Sequence, residues 1–562
     1  MSTRMRTIAV GSACISLAAL ALAGCGRAAT TDSSSSAAPD GSASASGGAT
    51  SAAPAPGLAT TTPAGTTPLD SVTWVVYRDV AIIDPIYVYD YPDNAAVTML
   101  CESLGRQTPD GAITDGLATL SRPDDKTMVY TINPDATFWD GSPVTAEDAM
   151  FSLQRQINPD LGGFYGLAFA NVESIEATAP DTVTIKLTKP DYTLEGELAS
   201  IPGLIVQKKF AETAAEAFGT PDAGVMCSGS YTNSGWTVGE GMTLTRNDAY
   251  WRSDVKPLTQ SIKLLGSADP AAISAGLSSG DIDGTYWTGG TTGLLAQFRA
   301  NSGITVTQGA SYAVDAFITT DNGVLADPVV RKALSLAIDR SSYVASVWED
   351  AAQLPKALTP PATWGYGKDV FAAGYAALPE PTQDLEAAKA LIAGKGVEGK
   401  TLTIGFIQVP SMSAEANSVK EAAEALGMKA ELKAIPADQY INLFIDAEFR
   451  KGVDGWFTIN YPNYADPMSL LSTIVIPGAP QNYNNYDNPA VTKALTDARS
   501  TADPDARAQL VVDAQKIIME EVPWIPMSFP DNINLTSSKI SGQTASFTYM
   551  FAPWADSLGG VG

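Results

Sequence analysis

Histidine does not occur anywhere in the 562 residues. That absence removes the imidazole general base, the Ser-His-Asp triad and any His-ligated nickel, zinc or haem. Carboxylates, carbonyls, aromatic faces and Met remain as binding groups. Basic residues are scarce as well, with 35 Lys and Arg against 61 Asp and Glu and a net charge of −26. Such an acid excess argues against nucleic acid as a partner and against general attraction to anionic lipid. The acids are scattered rather than blocked, so the charge chiefly serves solubility. Only four cysteines occur, and Cys101 and Cys227 lack metal-site spacing. No metal and no cofactor are expected. Long apolar runs are missing too, and Ile8 to Ala23 is too short and too rich in small residues for a membrane span.

What that run does have is the layout of an export signal. Arg4 and Arg6 precede it, and Leu22-Ala23-Gly24-Cys25 closes it. A cysteine directly after Leu-Ala-Gly resembles the bacterial lipobox, which implies cleavage after residue 24 and a diacylglyceryl group on Cys25. The alternative is an ordinary secretory signal in which Cys25 is incidental. Loss of Arg4 and Arg6 leaves 33 basic residues against 61 acidic ones, a net of −28. Residues 28 to 68 are almost wholly Ala, Ser, Thr, Gly and Pro, with Leu58 the one large apolar side chain. Such a stretch cannot offset its ordering entropy by burial. Residues 25–69 therefore read as a disordered leash, with a reach of roughly 35 Å. Cys14 leaves with the signal, so Cys101 and Cys227 remain as an even pair in an oxidising compartment. A disulfide between them is the expectation, and two buried free thiols the alternative.

About 490 residues follow the leash, more than one core usually holds, so two or more domains are expected. Val72-Thr73-Trp74-Val75-Val76 reads as a first strand. Lys126 to Asn133 alternates as a half-buried strand does. Phe138-Trp139-Asp140-Gly141 is a turn, and Thr145-Ala146-Glu147-Asp148 starts a helix with a capping threonine and acids at the positive end of the dipole. Ala149, Leu153 and Ile157 give that helix its apolar stripe. Asp327-Pro328 caps a second helix, with Val330, Leu334, Ala337 and Ile338 on its core face. Trp524 between Pro523 and Pro526 reads as a packed anchor. Thr401–Phe406 and Lys429–Leu432 read as strands around a helix over Ala414–Leu426, a βαβ-like unit that predicts an α/β lobe.

The stretch "LATLSRPDDKTMVYTINPDATFWDGSPVTAEDAMFSLQR", Leu117 to Arg155, closely resembles a signature of the family 5 extracellular solute-binding proteins of ABC importers, the dipeptide, oligopeptide and nickel binders. Further blocks are similar to the same family in the same order. They are Ile83-Asp84-Pro85, Cys101-Glu102-Ser103-Leu104, "CSGSYTNSGWTVGEGMTLTRNDAYW" from Cys227, Gly280-Asp281-Ile282-Asp283, "DPVVRKALSLAIDR" from Asp327 and "IIMEEVPWIPM" from Ile517. The resemblance implies a two-lobed, periplasmic-binding-protein-like α/β clamshell of type II. Lobe I would hold 70–312, with an extra subdomain over about 106–230. Lobe II would hold 313–526, and 527–562 would return to lobe I.

Three segments are expected to wall the cleft of such a clamshell. The first is Ile86-Tyr87-Val88-Tyr89-Asp90-Tyr91, because three tyrosines so close are unusual in a core strand. The second runs from Gly455 to Pro467 and contributes Trp456, Asn460, Tyr461 and Asp466. Peptide-binding members resemble it, and their Asp holds the peptide ammonium. Here Asn460 stands where that Asp is expected, and Asp466 is the acid that could replace its charge. The third is Tyr286-Trp287-Thr288-Gly289-Gly290, with Trp364-Gly365-Tyr366 a weaker companion. For each segment, ordinary loop packing is the competing reading.

The leading expectation is a lipid-tethered, monomeric receptor on the extracytoplasmic face of the cell membrane. It would capture a peptide and deliver it to an ABC permease, without covalent chemistry. An oligosaccharide or another small amphiphile is the alternative ligand, given Asn460 and the aromatics. A signalling or adhesive lipoprotein, or a hydrolase using paired carboxylates, are readings of other classes. No convincing carboxylate pair appears in the sequence.

Overall fold

Three main sheets organise the computed structural model, which describes residues 57–562 apart from Asp438. The export segment and Cys25 lie outside the described residues. Among the described residues no helix is long and apolar enough to cross a membrane.

The first lobe is organised by a seven-stranded sheet. Its strand order is Ile304–Gly309, Asn532–Ser537, Gly284–Trp287, Val72–Val76, Ser261–Gly266, Gly241–Arg246 and Tyr231–Thr237. Val72–Val76 runs parallel to both its neighbours, and all other pairings in the sheet are antiparallel. Trp74 is fully buried on this central strand, with ring centroids 4.9 Å from Tyr286 and 4.7 Å from Trp554. A disulfide joins Cys101, at the end of helix Tyr91–Leu100, to Cys227, with Cα atoms 4.9 Å apart.

Residues 118–187 form a separate antiparallel sheet in the order Ala118–Asp124, Thr127–Ile132, Thr182–Leu187, Val172–Ala179. Helix Ala146–Ile157 covers it. Thr145 and Asp148 make a reciprocal capping box there, satisfying donors that a helix start leaves open. Ala149 and Leu153 are buried in the core of this sheet, whereas Ile157 ends the helix 40% exposed.

The second lobe has a six-stranded sheet in the order Ala352–Gln353, Trp524–Pro530, Val314–Thr319, Gly455–Asn460, Thr401–Phe406, Lys429–Ala434. The βαβ unit is present, its two strands parallel and its helix spanning Pro410–Ala425. That helix begins four residues before the expected Ala414, because Pro410 takes its first position. Period-2 alternation gives the sheet two apolar faces. Phe317, Ile404 and Phe457 pack on one, and Ile318, Trp456 and Trp524 on the other.

Two short crossovers join the lobes. The first is residues 310–313, between strands Ile304–Gly309 and Val314–Thr319. The second is Asp531 alone, between Trp524–Pro530 and Asn532–Ser537. The return to the first lobe therefore falls later than the expected residue 527. Met527 to Pro530 stay in the second sheet because a register shift at Asp315/Ala316 accommodates Pro526 in a paired strand.

A second correction concerns the leash. Its last part, Gly57 to Leu69, is strapped onto the first lobe by bridges Ala59–Gly309, Thr61–Thr544, Thr67–Gly560 and Leu69–Thr259. The Ala59 amide donates to the Gln308 carbonyl at 2.9 Å. Backbone pairing holds this strap, not apolar burial, so its composition gave no sign of order.

Candidate functional site

The lobes meet through side chains placed just after the strand ends. Tyr461 follows strand Gly455–Asn460 of the second lobe and crosses to the first. Its Oη donates to the Tyr89 carbonyl at 2.9 Å, and its ring lies 5.2 Å from Tyr91 and 5.0 Å from Phe547. Tyr91 opens its helix, where Asp90 accepts from the Tyr91 amide at 2.8 Å. Asp90 and Asp93 in turn hold Arg78, each at 2.7 Å. Asn460 sets the Tyr461 backbone. Its Oδ1 accepts from the Tyr461 amide at 2.9 Å while its Nδ2 donates to Gln481 at 2.6 Å.

A second set of contacts lies beyond Tyr461. Gln107 donates to the Asn463 carbonyl at 2.8 Å. Glu197 accepts from Asn463 Nδ2 at 2.8 Å and Ser469 Oγ at 3.0 Å. Burial pushes the Glu197 carboxyl up to about 6, against the opposing pull of those two donors. The Tyr464 ring sits on Gly196, where an added Cβ would lie 2.2 Å from the ring. Backbone and side-chain bonds from Tyr192 to Arg499 and from Ser500 to Pro190, at 2.9 and 2.8 Å, extend the contact.

Two spaces remain between the lobes. One, of about 70 Å³, lies between Phe164, Tyr165 and Glu197 on one side and Tyr464, Ser472 and Arg499 on the other. The other, of about 20 Å³, lies at the crossovers and is bordered by Tyr91, Trp287, Trp348, Phe547 and Asp531. Behind Trp348 the buried carboxyls of Asp315 and Glu415 face each other. Trp348 Nε1 donates to Tyr343 Oη at 3.3 Å, Tyr343 donates to Asp315, and Ser528 donates to Asp315 at 2.9 Å. Burial raises both carboxyls, and the pair repels a second negative charge.

The structure distributes the nine sequence-predicted residues unevenly. Tyr89, Tyr91, Asn460 and Tyr461 come together at the lobe contact, and Trp287 borders the crossover space. Tyr87 donates to the Leu161 carbonyl at 2.7 Å and braces a loop of the first lobe. Trp456 is a correction, being fully buried against Phe444 and Tyr483 on the core face that strand alternation assigns to it. Trp364 is half-buried, its ring stacked 6.0 Å from Phe371 within the second lobe. Asp466 is a second correction. It caps helix Pro467–Val475, accepting from the Met468 amide at 2.8 Å, Tyr366 at 3.0 Å and Tyr464 at 3.3 Å. With 2% exposure, it has no face to offer a ligand.

Glu197, Trp348, Asp531 and Phe547 escaped the sequence reading. Nothing around them forms a motif, and each reaches the interlobe region only in the assembled fold. Among the described residues no group of three or more Cys, Asp or Glu side chains is placed to hold a metal ion.

The model of the bacterial extracellular solute-binding proteins, family 5 Middle, matches residues 112–482. The chain is 26% identical over 528 residues to the periplasmic oligopeptide-binding protein OppA of Salmonella typhimurium, covering 86% of this chain and 92% of that protein. Two solved structures share its fold. The ABC transporter-associated periplasmic binding protein DppA from Helicobacter pylori, in complex with peptide STSA, has a TM-score of 0.75 at 21% identity, covering 85% of this chain and 96% of that one. The binding protein AgaA from A. tumefaciens R10, in complex with agropinic acid, has a TM-score of 0.76 at 18% identity, covering 87% and 97%.

Proposed function

This chain belongs to the bacterial extracellular solute-binding proteins, family 5, and from that premise we propose that it captures peptides between its lobes and delivers them to an ABC permease. Members of the family are transport binding proteins, not enzymes, so the hydrolase reading falls away. The lipobox-like Leu22-Ala23-Gly24-Cys25 supports a lipid on Cys25 and a place on the extracytoplasmic face of the membrane. Residues 25–56 would then serve as the tether.

The observation that carries this reading is the lobe contact itself. Tyr461 of one lobe is inserted between Tyr89, Tyr91 and Phe547 of the other, beside two spaces walled by both lobes. A ligand touching both walls favours the closed arrangement by its differential affinity, and closure would present the surface a permease recognises. The OppA of Salmonella typhimurium is an oligopeptide-binding protein by name, which favours peptide as the ligand class.

A second reading keeps the fold and changes the ligand to an oligosaccharide or another small amphiphile. It is favoured by neutral Asn460 and by the engagement of Asp466 as a helix cap. Calorimetric titration with a peptide pool and a glycan pool separates the two. Saturable peptide binding is the expected result. Glycan binding with no peptide binding would replace the ligand class.

A further inference from the structure

Backbone groups from four separate segments converge beside the crossovers. Ala59 of the strap donates its amide to the Gln308 carbonyl at 2.9 Å, and its carbonyl accepts from the Ala310 amide at 3.1 Å. The Thr60 carbonyl accepts from two amides at once, Ala545 at 2.9 Å and Ser546 at 3.0 Å. The Phe547 amide closes the circuit on the Ala310 carbonyl at 2.8 Å. From the strand that follows the second crossover, Asn532 and Asn534 donate their Nδ2 groups to the Ala545 carbonyl at 2.7 and 3.0 Å. Thr62 adds bonds to Gln543, at 3.2 Å from its amide and 3.0 Å from its hydroxyl. The first-lobe ends of both crossovers therefore meet at one buried turn, residues 545–547. A Cβ added at Gly309 would lie 1.8 Å from the Ala545 carbonyl oxygen, so the backbones touch there.

That turn carries Phe547, whose ring meets Tyr461 of the second lobe at 5.0 Å. Phe547 also borders the space at the crossovers, together with Ser311, Ala313 and Asn532. The strap thus reaches the lobe contact through a short relay. Its two carbonyls hold the root of the first crossover and the turn, and the turn holds the ring that receives Tyr461. Losing the strap would hand the amides of Ala310, Ala545 and Ser546 to water. The turn would then keep only its bonds to Ala310 and the two asparagines. A displacement at the root of a hinge is magnified at the far wall of the cleft, so bonds remote from solute still decide whether the walls meet. Residues 57–62 hold one large apolar side chain, Leu58, so they add position more than core.

We propose that residues 57–62 are a positioning element of the solute site. They fix the root of the first crossover and the turn that seats Phe547 against Tyr461, and so set the closed arrangement of the lobes. The role rests on the reading that solute is held between the lobes.

The test uses the full chain with residues 57–62 deleted, and a length control with residues 40–45 deleted instead. A milder pair is Ala59→Pro, which removes the amide donor, and Ala59→Gly, which keeps both bonds. Association and dissociation rates are measured with tri-alanine, and hydrogen exchange is read by mass spectrometry. The deletion of 57–62 and Ala59→Pro should speed peptide release by about five- to tenfold, as the loss of one or two net hydrogen bonds implies, with association little changed. Ala59→Gly and the length control should match wild type. Exchange should quicken several-fold in residues 543–549 and, across the contact, in residues 459–465 of the second lobe. If the deletion of 57–62 does not fold, Ala59→Pro against Ala59→Gly decides by the same readouts.

Faster exchange confined to residues 543–549, with release unchanged, would overturn the positioning role and leave the peptide reading intact. If wild type binds no tri-alanine, the exchange pattern decides alone and independently of the ligand class. Quickening in residues 459–465 would then support the positioning role, and its absence would overturn it.

Discussion

Single residues at the lobe contact carry opposing electrostatic demands, and Glu197 shows how they resolve. Two neutral donors favour its charged form, yet burial raises it to about 6. The sign follows from linkage. A carboxyl held above its unfolded value binds protons more tightly in the folded chain, so its contribution is present below the unfolded value and lost as pH rises through about 6. Relative to Glu197→Gln, the wild type should thus lose thermal stability between roughly pH 4.5 and 6.5, then run parallel above that window. Melting curves at half-unit steps of pH check this, and a flat difference across the window would refute the assignment. Gly196, next to it, is set by contact with Tyr464. Gly196→Ala should force that ring away, keep each lobe folded and weaken ligand binding. Calorimetry together with circular dichroism would register that combination.

At the scale of elements, capping chemistry was the most legible part of the sequence. Thr145 and Asp148 form their box, and Asp327 accepts from the Val329 amide ahead of a helix that buries Val330, Leu334 and Ala337. These signals are local, and neighbours in sequence decide them. Trp456 was misjudged because the segment's resemblance to peptide-binding members suggested a cleft wall, whereas strand alternation put it on a core face. The strap at Gly57 to Leu69 was misjudged because composition reports apolar burial and not backbone pairing. Asp531 and Glu197 gave no signal, since only the assembled fold brings the second crossover and helix Leu194–Glu197 to the lobe contact. The disulfide is the element whose removal should be felt most widely, as it closes a separation of 126 residues. In the chain-entropy model such a loop contributes about 4–5 kcal/mol. Reduction, or Cys101→Ser with Cys227→Ser, should lower the denaturation midpoint accordingly. An unchanged midpoint would mean that the bond adds nothing to stability.

For the whole molecule, the decisive feature is that two lobes with separate cores are joined by crossovers of four residues and one residue. Connections that short let the lobes rotate as bodies while Asp531 and residues 310–313 absorb the change. The two-lobed architecture was legible through the order of its blocks along the chain, though the second crossover fell four residues later than expected. The ligand was not legible, because its contacts belong to the assembled cleft and not to any one segment.

The central claim is that a solute is held between these lobes, and native mass spectrometry of the purified chain tests it most directly. Spectra should be taken as purified, after unfolding and refolding, and after exposure to a tripeptide pool. The account expects peptide adducts that vanish on unfolding and return from the pool, and that are depleted in Gly196→Ala. A chain that carries no adduct and takes up none from the pool would contradict it.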